Sequence, residues 1–262
     1  MTNVERLVQE VDVGRCVGIQ ITNNTRDVTL EFPRAGHLRH CEARQWQWST
    51  SHTRASSSPL RITLSRACTL PTRSSRCRTM MSSTSPTPNQ VVYTLRNPKD
   101  VLVSYFYFSK MCSSYEDPES FEQFLQDFLS GDVPHGSWFD HVRGWMEMKG
   151  KENFFFITYE ELQQDLRGSV RQLCQFLEQE LDDRAINSVV ENASFRAMKE
   201  NKMCNSTLLP RDIMDQKKGT FLRKGICGDW KNHFTVAQSE AFDRIYQDWM
   251  GGLMEAFPWD SR

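Results

Sequence analysis

The chain has 262 residues, of which 39% are hydrophobic, 11% aromatic and 25% charged, and its formal net charge is -1. This length and composition allow one large buried core, which favours a single α/β domain. The near-neutral balance gives no global attraction to nucleic acid or to a membrane surface, so any anion-binding site must be a local cluster of Arg and Lys.

Eight cysteines are spread along the chain without a C-x-x-C pair. This distribution is too sparse for a disulfide framework and favours reduced thiols. No apolar run approaches about 18 residues, and the N-terminus lacks the basic-then-apolar pattern of a signal peptide. We therefore expect a cytoplasmic protein that neither spans a membrane nor binds nucleic acid.

The segment 37–89 differs in composition from the rest of the chain, because it holds eight Arg, no Lys, nineteen Ser or Thr and a single carboxylate, Glu42. Neither strand nor helix periodicity continues through it, so no packed element is predicted. Three interpretations stay open: a disordered basic insertion; a nucleic-acid-binding arm, although its aromatics, Trp46 and Trp48, lie only at one end; or a stretch foreign to the fold, as out-of-frame translation would produce.

After this segment the sequence has the patterns of an ordinary globular protein. QVVYTL predicts a strand that ends at Arg96-Asn97-Pro98, and DVLVSYFYFSKM predicts a buried helix after the turn. SFEQFLQDFLSG predicts an amphipathic helix that begins with a capping box of Ser120 and Gln123 and ends at Gly131.

Three more elements follow in chain order. GSWFDHVRGWMEMKG predicts a helix, and ENFFFITYEEL predicts a second strand that passes directly into a helical region. The order strand, helix, helix, strand, helix indicates a parallel sheet with helices on its faces. TVAQSEAFDRIYQDWM predicts a closing helix with a capping box of Thr235 and Gln238.

Cations and a hydroxyl lie where these predicted elements end. Arg96 follows a strand, at the edge where open α/β sheets place ligands, and Ser104 lies about two helical turns further on. FLRKG, residues 221–225, adds two cations before a glycine, whose backbone allows close approach of a phosphate. Each fragment alone is typical of a solvated surface charge or a basic turn, but together they predict a phosphate site.

Residues 90–258 contain one highly specific string, RKGICGDWKNHFT, together with RNPKDVLVSYFYF, GSWFDHVRGW, ITYEEL and NASFRAMKEN. In their order and spacing these motifs resemble the cytosolic sulfotransferases. The resemblance implies a single α/β domain with a central parallel sheet flanked by helices, related to P-loop nucleotide kinases. It also implies 3′-phosphoadenosine 5′-phosphosulfate as the sulfonate donor, no metal, a phenol, steroid or amine as acceptor, and a homodimer.

The resemblance assigns roles on the donor side. Arg96 and Ser104 match the pair that holds the 3′-phosphate of the donor, and Tyr159 matches a tyrosine on the adenine side. The segment expected around the base contains Ala193, where the family commonly has Thr, together with Ser194, Phe195 and Met198. The stretch expected to close over the 3′-phosphate is Phe221, Leu222, Arg223, Lys224 and Gly225.

DVTLEFPRAG resembles the strand and loop start that reads Y-P-K-S-G-T-T-W in the family, and its agreement ends at Gly36. The residues expected to contact the donor there are Arg34, Ala35 and Gly36. Two hydroxyls and a stacking ring are lost after them, where His37, Leu38 and Arg39 stand. Each lost hydrogen bond to a charged group weakens binding by on the order of 1.5–3 kcal/mol.

The family's general base is a histidine in a K-T-H-like stretch upstream of the strand at residue 90, and this chain has no such stretch. The catalytic base is therefore not identified. The resemblance further places Phe108 and Tyr115 on the acceptor side, where core packing is the competing role for Phe108. It implies dimer contacts from Lys231, Thr235, Val236 and Glu240.

The predicted organisation has three parts: residues 1–36, ending in a partial phosphate loop; the anomalous segment 37–89; and the main part of a sulfotransferase domain, 90–262. The first functional hypothesis is a sulfotransferase whose activity is impaired by the incomplete loop. The second is a non-catalytic relative that binds nucleotide or dimerises. A nucleotide kinase is disfavoured because no G-x-x-x-x-G-K-[ST] occurs.

Overall fold

The computed structural model describes residues 17–22, 27–31, 90–253 and 257–260. Its sheet has four strands in the order β2-β1-β3-β4, with bounds β1 Val17–Thr22, β2 Asp27–Glu31, β3 Gln90–Leu95 and β4 Phe154–Thr158. β3 and β4 are parallel, as predicted, whereas β1 pairs antiparallel with both β2 and β3. The described sheet is therefore mixed, with its parallel pair at one side.

The predicted helices of residues 90–253 occur in the predicted order, and two further helices precede the closing one. The helices are α1 Pro98–Met111, α2 Phe121–Ser130, α3 Trp138–Met146, α4 Tyr159–Gln164, α5 Leu166–Phe176, α6 Asp183–Asn192, α7 Phe195–Glu200 and α8 Val236–Met250, with a 3-10 turn at Asp229–Asn232 before α8. No helix in the described ranges has both the length and the apolar character needed to cross a membrane.

β3 is buried on both faces, which explains its continuous apolar sequence. Val91, Tyr93 and Leu95 face a core formed with α1, α2, α3 and α8, while Val92 faces a second core formed with α4, α5 and α6. The helices thus cover both sides of the parallel pair, and the carboxyl ends of β3 and β4 meet at one edge. The predicted α/β class is confirmed.

The caps predicted for α2 and α8 agree with the structure except at one residue. Ser120 caps α2, and Gly131 ends it with a φ of 79°, in the left-handed region that glycine adopts without strain. Thr235 and Gln238 form the complete predicted capping box of α8. The box predicted at Ser120 is wrong in its second half, because the Gln123 side chain donates to Asp127 one turn further along.

The candidate donor residues Arg34, Ala35 and Gly36, and the whole segment 37–89, lie outside the described residues. The predicted boundaries at 36 and 89 therefore stay predictions.

Candidate functional site

The carboxyl ends of the two parallel strands bring Arg96 and Tyr159 together. Leu95 and Thr158, the last residues of β3 and β4, lie opposite each other in the register, so the next residue of each strand leaves at the same edge. The Arg96 guanidinium carbon lies 4.2 Å from the centroid of the Tyr159 ring. This stacking fixes the plane of the guanidinium beside a buried aromatic surface.

Arg96 is only 8% exposed, yet its donors are not all used. One terminal nitrogen donates to the backbone oxygen of Ile226 at 3.0 Å. The Nε atom is buried and has no hydrogen-bond partner among the described residues. A buried charged donor without an acceptor is costly, and a bound anion removes that cost. Arg96 therefore has the properties of an anion-binding residue.

Glu160 lies beside Arg96 at the same sheet edge. Its Oε1 accepts a hydrogen bond from the backbone N–H of Asn97 at 3.1 Å, while its Oε2 is buried without a partner among the described residues. Burial raises the pKa of Glu160, although the Asn97 N–H and the charge of Arg96 oppose that rise. Asn97 in turn caps α1 by accepting from the Lys99 N–H at 3.0 Å. The second predicted phosphate ligand, Ser104, is half-buried within α1.

The two cations of the loop 221–225 are paired with a carboxylate. Arg223 and Lys224 each lie 2.6 Å from an oxygen of Asp229, whose side chain is only 2% exposed. Burial disfavours the charge of Asp229, but hydrogen bonds from Lys224, Asn232 and Arg223 outweigh it and hold its pKa well below the usual range. Both cations thus already share one carboxylate, which offsets one of their two charges.

Asp100 attaches the residues just after the loop 221–225 to the first turn of α1. Its two oxygens accept from the backbone N–H groups of Gly228 at 2.6 Å and Trp230 at 2.9 Å. The carboxylate is buried, and the bonds join residues 128 and 130 positions apart. Together with the bond from Arg96 to Ile226, Asp100 attaches the loop directly to the strand edge.

Gly225 brings the loop against the segment predicted to surround the base. Its φ is 63°, and a Cβ at this position would lie 2.1 Å from Cδ2 of Phe195. Of the other predicted base contacts, Ala193 and Met198 are buried in the core, and Ser194 caps α7 by accepting from the Ala197 N–H. The structure therefore brings Phe195 against the loop 221–225, while Leu222 of that loop packs as a core residue.

The two predicted acceptor residues are in contact with each other. The Phe108 and Tyr115 rings lie 5.8 Å apart at a steep angle, and the Tyr115 hydroxyl lies 2.7 Å from Nε2 of His135. Phe108 also faces Phe221 of the loop 221–225, with ring centroids 6.2 Å apart. We call Phe108, Tyr115 and His135 the aromatic wall. It adjoins the loop that carries the two cations.

The other histidines of the described part have different surroundings. The His141 Nε2 is buried without a hydrogen-bond partner there, and burial, with repulsion from His135, lowers its pKa to about 4. His233 lies 3.0 Å from the Tyr107 hydroxyl and 3.0 Å from the backbone oxygen of Asp229. His141 is therefore neutral at physiological pH, and His233 belongs to the framework of the loop.

The predicted dimer residues lie on the surface around the start of α8. Lys231, Thr235 and Glu240 are exposed, and Val236 is 76% exposed. The Thr235 hydroxyl caps α8 by accepting from the Gln238 N–H. An aliphatic side chain this exposed at a helix start is available for contact with another chain.

Sequence reasoning missed Asp100, Asp229 and Glu160. Each lies within a string that the sequence did show, RNPKD, CGDWKN or ITYEEL. The hydrogen-bond partners of Asp100 and Glu160 are distant in the chain, and the cationic partners of Asp229 lie in the loop 221–225. No group of three or more His, Cys, Asp or Glu residues in the described part is arranged to hold a metal ion.

A parallel strand edge with a buried, partly unpartnered arginine and a flanking basic loop is an arrangement of an α/β protein that suits an anionic ligand. The family model described as "Sulfotransferase domain" matches residues 63–254, and the chain belongs to this family. The match begins inside the segment 37–89. The predicted family is confirmed.

Two similar proteins illustrate the relationship. Sulfotransferase 2B1 of Rattus norvegicus is 59% identical over 171 residues, which are 65% of this chain and 50% of that protein. The 3-beta-hydroxysteroid sulfotransferase of Cavia porcellus is 50% identical over 172 residues, covering 65% of this chain and 60% of that protein. The chain thus spans about half to three fifths of the length of these curated relatives.

Solved structures show the same fold. Mouse sulfotransferase SULT7A1, complexed with PAP, is 34% identical and has a TM-score of 0.55, covering 62% of this chain and 58% of that one. A retinol dehydratase in complex with androsterone and the inactive cofactor PAP is 26% identical, with a TM-score of 0.60, and covers 64% of this chain and 49% of that one.

Proposed function

We propose that this protein transfers a sulfonate group from 3′-phosphoadenosine 5′-phosphosulfate to a hydroxyl or amine of a small molecule. The observation that carries the proposal is Arg96, a buried guanidinium with an unpartnered Nε at the edge of the parallel strands. Membership of the sulfotransferase family and the PAP bound in similar structures support it.

On the donor side, Arg96 binds the 3′-phosphate, with Ser104 as a second donor from α1. Arg223 and Lys224 close over the same phosphate by exchanging Asp229 for it, and the backbone of Gly225 approaches closely because it carries no side chain. Tyr159 supports the guanidinium, and Phe195 lines the base from α7. The donor itself supplies an activated sulfonate group.

The 5′ side of the donor belongs to Arg34, Ala35 and Gly36 in this proposal. Arg34 supplies a cation that neutralises charge on the bridging oxygen as the sulfonate leaves. Arg binds as a planar fork where the family has a point charge, and the hydroxyls that follow in the family are replaced. Sulfonate transfer is therefore slower than in a relative with a complete loop.

On the acceptor side, the aromatic wall contacts an apolar acceptor through its rings. The bond between Tyr115 and His135 gives this wall a polar edge that recognises a hydroxyl. The name of the guinea-pig relative and the androsterone bound to the retinol dehydratase favour a steroid, with a phenol or amine as the other acceptors.

The chain acts as a cytoplasmic homodimer in this proposal. The exposed Val236, with Lys231, Thr235 and Glu240 around it, supports the dimer contact. Val236→Lys places a charge in that contact, and sedimentation velocity of the full chain will then show a shift from dimer to monomer. Equal sedimentation of both forms contradicts the contact.

The central test is binding of adenosine 3′,5′-bisphosphate, the desulfated product. It stabilises the folded protein by about 2.7 kcal/mol at a hundredfold excess over its dissociation constant, measured by thermal unfolding. Arg96→Ala abolishes this stabilisation, whereas Arg184→Ala, at an exposed position on α6, leaves it unchanged. The absence of stabilisation at millimolar nucleotide contradicts the proposal.

Labelled sulfonate separates the two functional hypotheses. Transfer from the donor to a 3β-hydroxysteroid or a phenol, lost in Arg96→Ala, is expected for the enzyme. Nucleotide binding without transfer supports the alternative, a non-catalytic nucleotide-binding or dimerisation protein. Transfer that survives Arg96→Ala shows that the donor site lies elsewhere.

A further inference from the structure

Glu160 connects the ends of the two parallel strands. Asn97 follows β3 and caps α1, while Glu160 follows β4 in the first turn of α4. The bond of 3.1 Å from the Asn97 N–H to Glu160 Oε1 joins the two ends through a side chain. Since Arg96 directly precedes Asn97, this bond also fixes the backbone from which the candidate phosphate ligand projects.

The second oxygen of Glu160 has a different environment. Oε2 is buried and has no hydrogen-bond partner among the described residues. The charged groups acting on the carboxyl are Arg96, which favours its ionised form, and Asp100 of α1, which disfavours it. Burial acts in the same direction as Asp100 and is the largest influence, so Arg96 is the side-chain charge that supports ionisation here.

A phosphate bound to Arg96 changes this balance. Its negative charge neutralises the guanidinium that favours ionised Glu160, and it adds repulsion to that of Asp100. Both effects raise the pKa of Glu160 further and shift it towards the neutral carboxylic acid, whose O–H is a donor where the carboxylate offered only acceptors.

We propose that Glu160 is a positioning residue of the donor site, which holds the Arg96 segment through Asn97 and takes up a proton when a phosphate group binds. This inference rests on the proposed function, because it requires a phosphate at Arg96. By linkage, nucleotide affinity is highest when Glu160 is already protonated and decreases as pH rises, by at most about tenfold per pH unit for one proton.

Glu160→Gln is the matched test, because the amide keeps an oxygen for the Asn97 N–H and permanently places a donor at the position of Oε2. Calorimetric titration with adenosine 3′,5′-bisphosphate from pH 5 to pH 8 will compare the two proteins. The ratio of wild-type affinity to variant affinity is expected to fall as pH rises. The phosphate's own titration is common to both proteins and cancels in this ratio.

Two controls complete the test. Glu180→Gln removes an exposed carboxylate from the loop before α6, so its affinity ratio to wild type is expected to be constant near one. Glu160→Ala removes the acceptor for Asn97 as well and is expected to weaken binding at every pH. Repeating the titrations in two buffers of different ionisation enthalpy will count protons, with more uptake by wild type than by Glu160→Gln.

The outcomes separate the two proposals. A constant ratio of wild type to Glu160→Gln across the pH range, with equal proton uptake, overturns the inference and leaves the proposed function intact. Absence of nucleotide binding in wild type and both Glu160 variants overturns the proposed function itself. Thermal unfolding without nucleotide verifies that Glu160→Gln folds.

Discussion

The candidate site has cations in two places, Arg96 at the strand edge and the pair Arg223 and Lys224 in the loop 221–225. They differ in whether their hydrogen-bond donors already have an acceptor. Arg96 is buried, stacked on Tyr159, and has an Nε without a partner among the described residues. Arg223 and Lys224 are more exposed, and both are paired with Asp229 at 2.6 Å. A phosphate meets an open donor at the first site and must displace a carboxylate at the second.

This difference shows that positive charge alone does not measure anion affinity. A paired cation gives up one charge-assisted hydrogen bond to gain another, so its net contribution to ligand binding is small. A buried cation with an orphan donor gains the full interaction. The sequence presents both groups as equivalent, and only the contacts distinguish them.

The largest expected effect tests this ranking directly. Arg96→Ala will weaken binding of adenosine 3′,5′-bisphosphate by about 100-fold or more, because a buried charge-assisted interaction is lost. Arg223→Ala will weaken it by only about tenfold, because a phosphate gains the bond from Arg223 only at the cost of the bond from Arg223 to Asp229. Calorimetry on both variants measures the two effects, and equal losses would break the comparison.

Gly225→Ala is next in size. The new Cβ would strike the Phe195 ring in a backbone conformation with φ of 63°, so the loop must move. We expect a loss of about 2–3 kcal/mol in the free energy of unfolding, together with weaker nucleotide binding. Chemical denaturation measures the stability. Gly150→Ala, also at positive φ but with open space around its Cβ, isolates the backbone contribution.

Asp229→Asn removes the carboxylate charge that pairs with Arg223 and Lys224, so that these cations lose the anionic partner that distinguishes them from Arg96. Stability is expected to fall by about 1–2 kcal/mol, less than for a fully buried pair, because Lys224 is 45% exposed and solvent screens it. Nucleotide affinity is expected to stay equal or increase, because the competing carboxylate charge is gone. A parallel loss of stability and affinity would show that Asp229 positions the loop and does not compete with the ligand.

The same carboxylate gives a pH prediction. The pKa of Asp229 is lower in the folded protein than its ordinary value of 3.8, so its contribution to stability is fully present above that value. It is lost as pH falls further toward the folded-state pKa. Acid unfolding of wild type will therefore be steeper than that of Asp229→Asn below about pH 4, and identical slopes would contradict the assignment.

Tyr115→Phe gives the smallest expected effect and tests whether the aromatic wall contributes to nucleotide binding. It keeps the ring that contacts Phe108 and removes the hydroxyl that bonds His135 at 2.7 Å. We expect an increase of about fivefold in the KM for a steroid acceptor, equivalent to about 1 kcal/mol, with unchanged nucleotide affinity. A change in nucleotide affinity would extend the donor site to the aromatic wall.

Local signals predicted the elements well. The apolar run QVVYTL, the caps of α2 and α8 and the αL glycine at Gly131 all encode structure within a few residues. The incomplete capping box at Ser120 failed because Asp127 offered Gln123 another acceptor one turn away. The Gln123 side chain could bond either the Ser120 backbone or Asp127, and the sequence pattern did not show which partner it takes.

The sequence predicted the cations of the site but neither its carboxylates nor its pairings. Arg96 follows a strand in the sequence, but its stacking on Tyr159 depends on the register of two strands separated by three helices. The bonds from Asp100 to the loop cross 128 and 130 positions, which no local pattern encodes. The 5′-phosphate loop around Arg34 stays a prediction, because it lies outside the described residues.

The bond from Arg96 to the backbone oxygen of Ile226 links the candidate phosphate site to the loop beside it. One guanidinium serves both the candidate ligand and the loop, so a phosphate that rotates Arg96 changes the loop's attachment, while Asp100 keeps Gly228 and Trp230 fixed to α1. In the proposed function, nucleotide binding at Arg96 would therefore change the attachment of the loop at Ile226 while Gly228 and Trp230 stay bonded to α1.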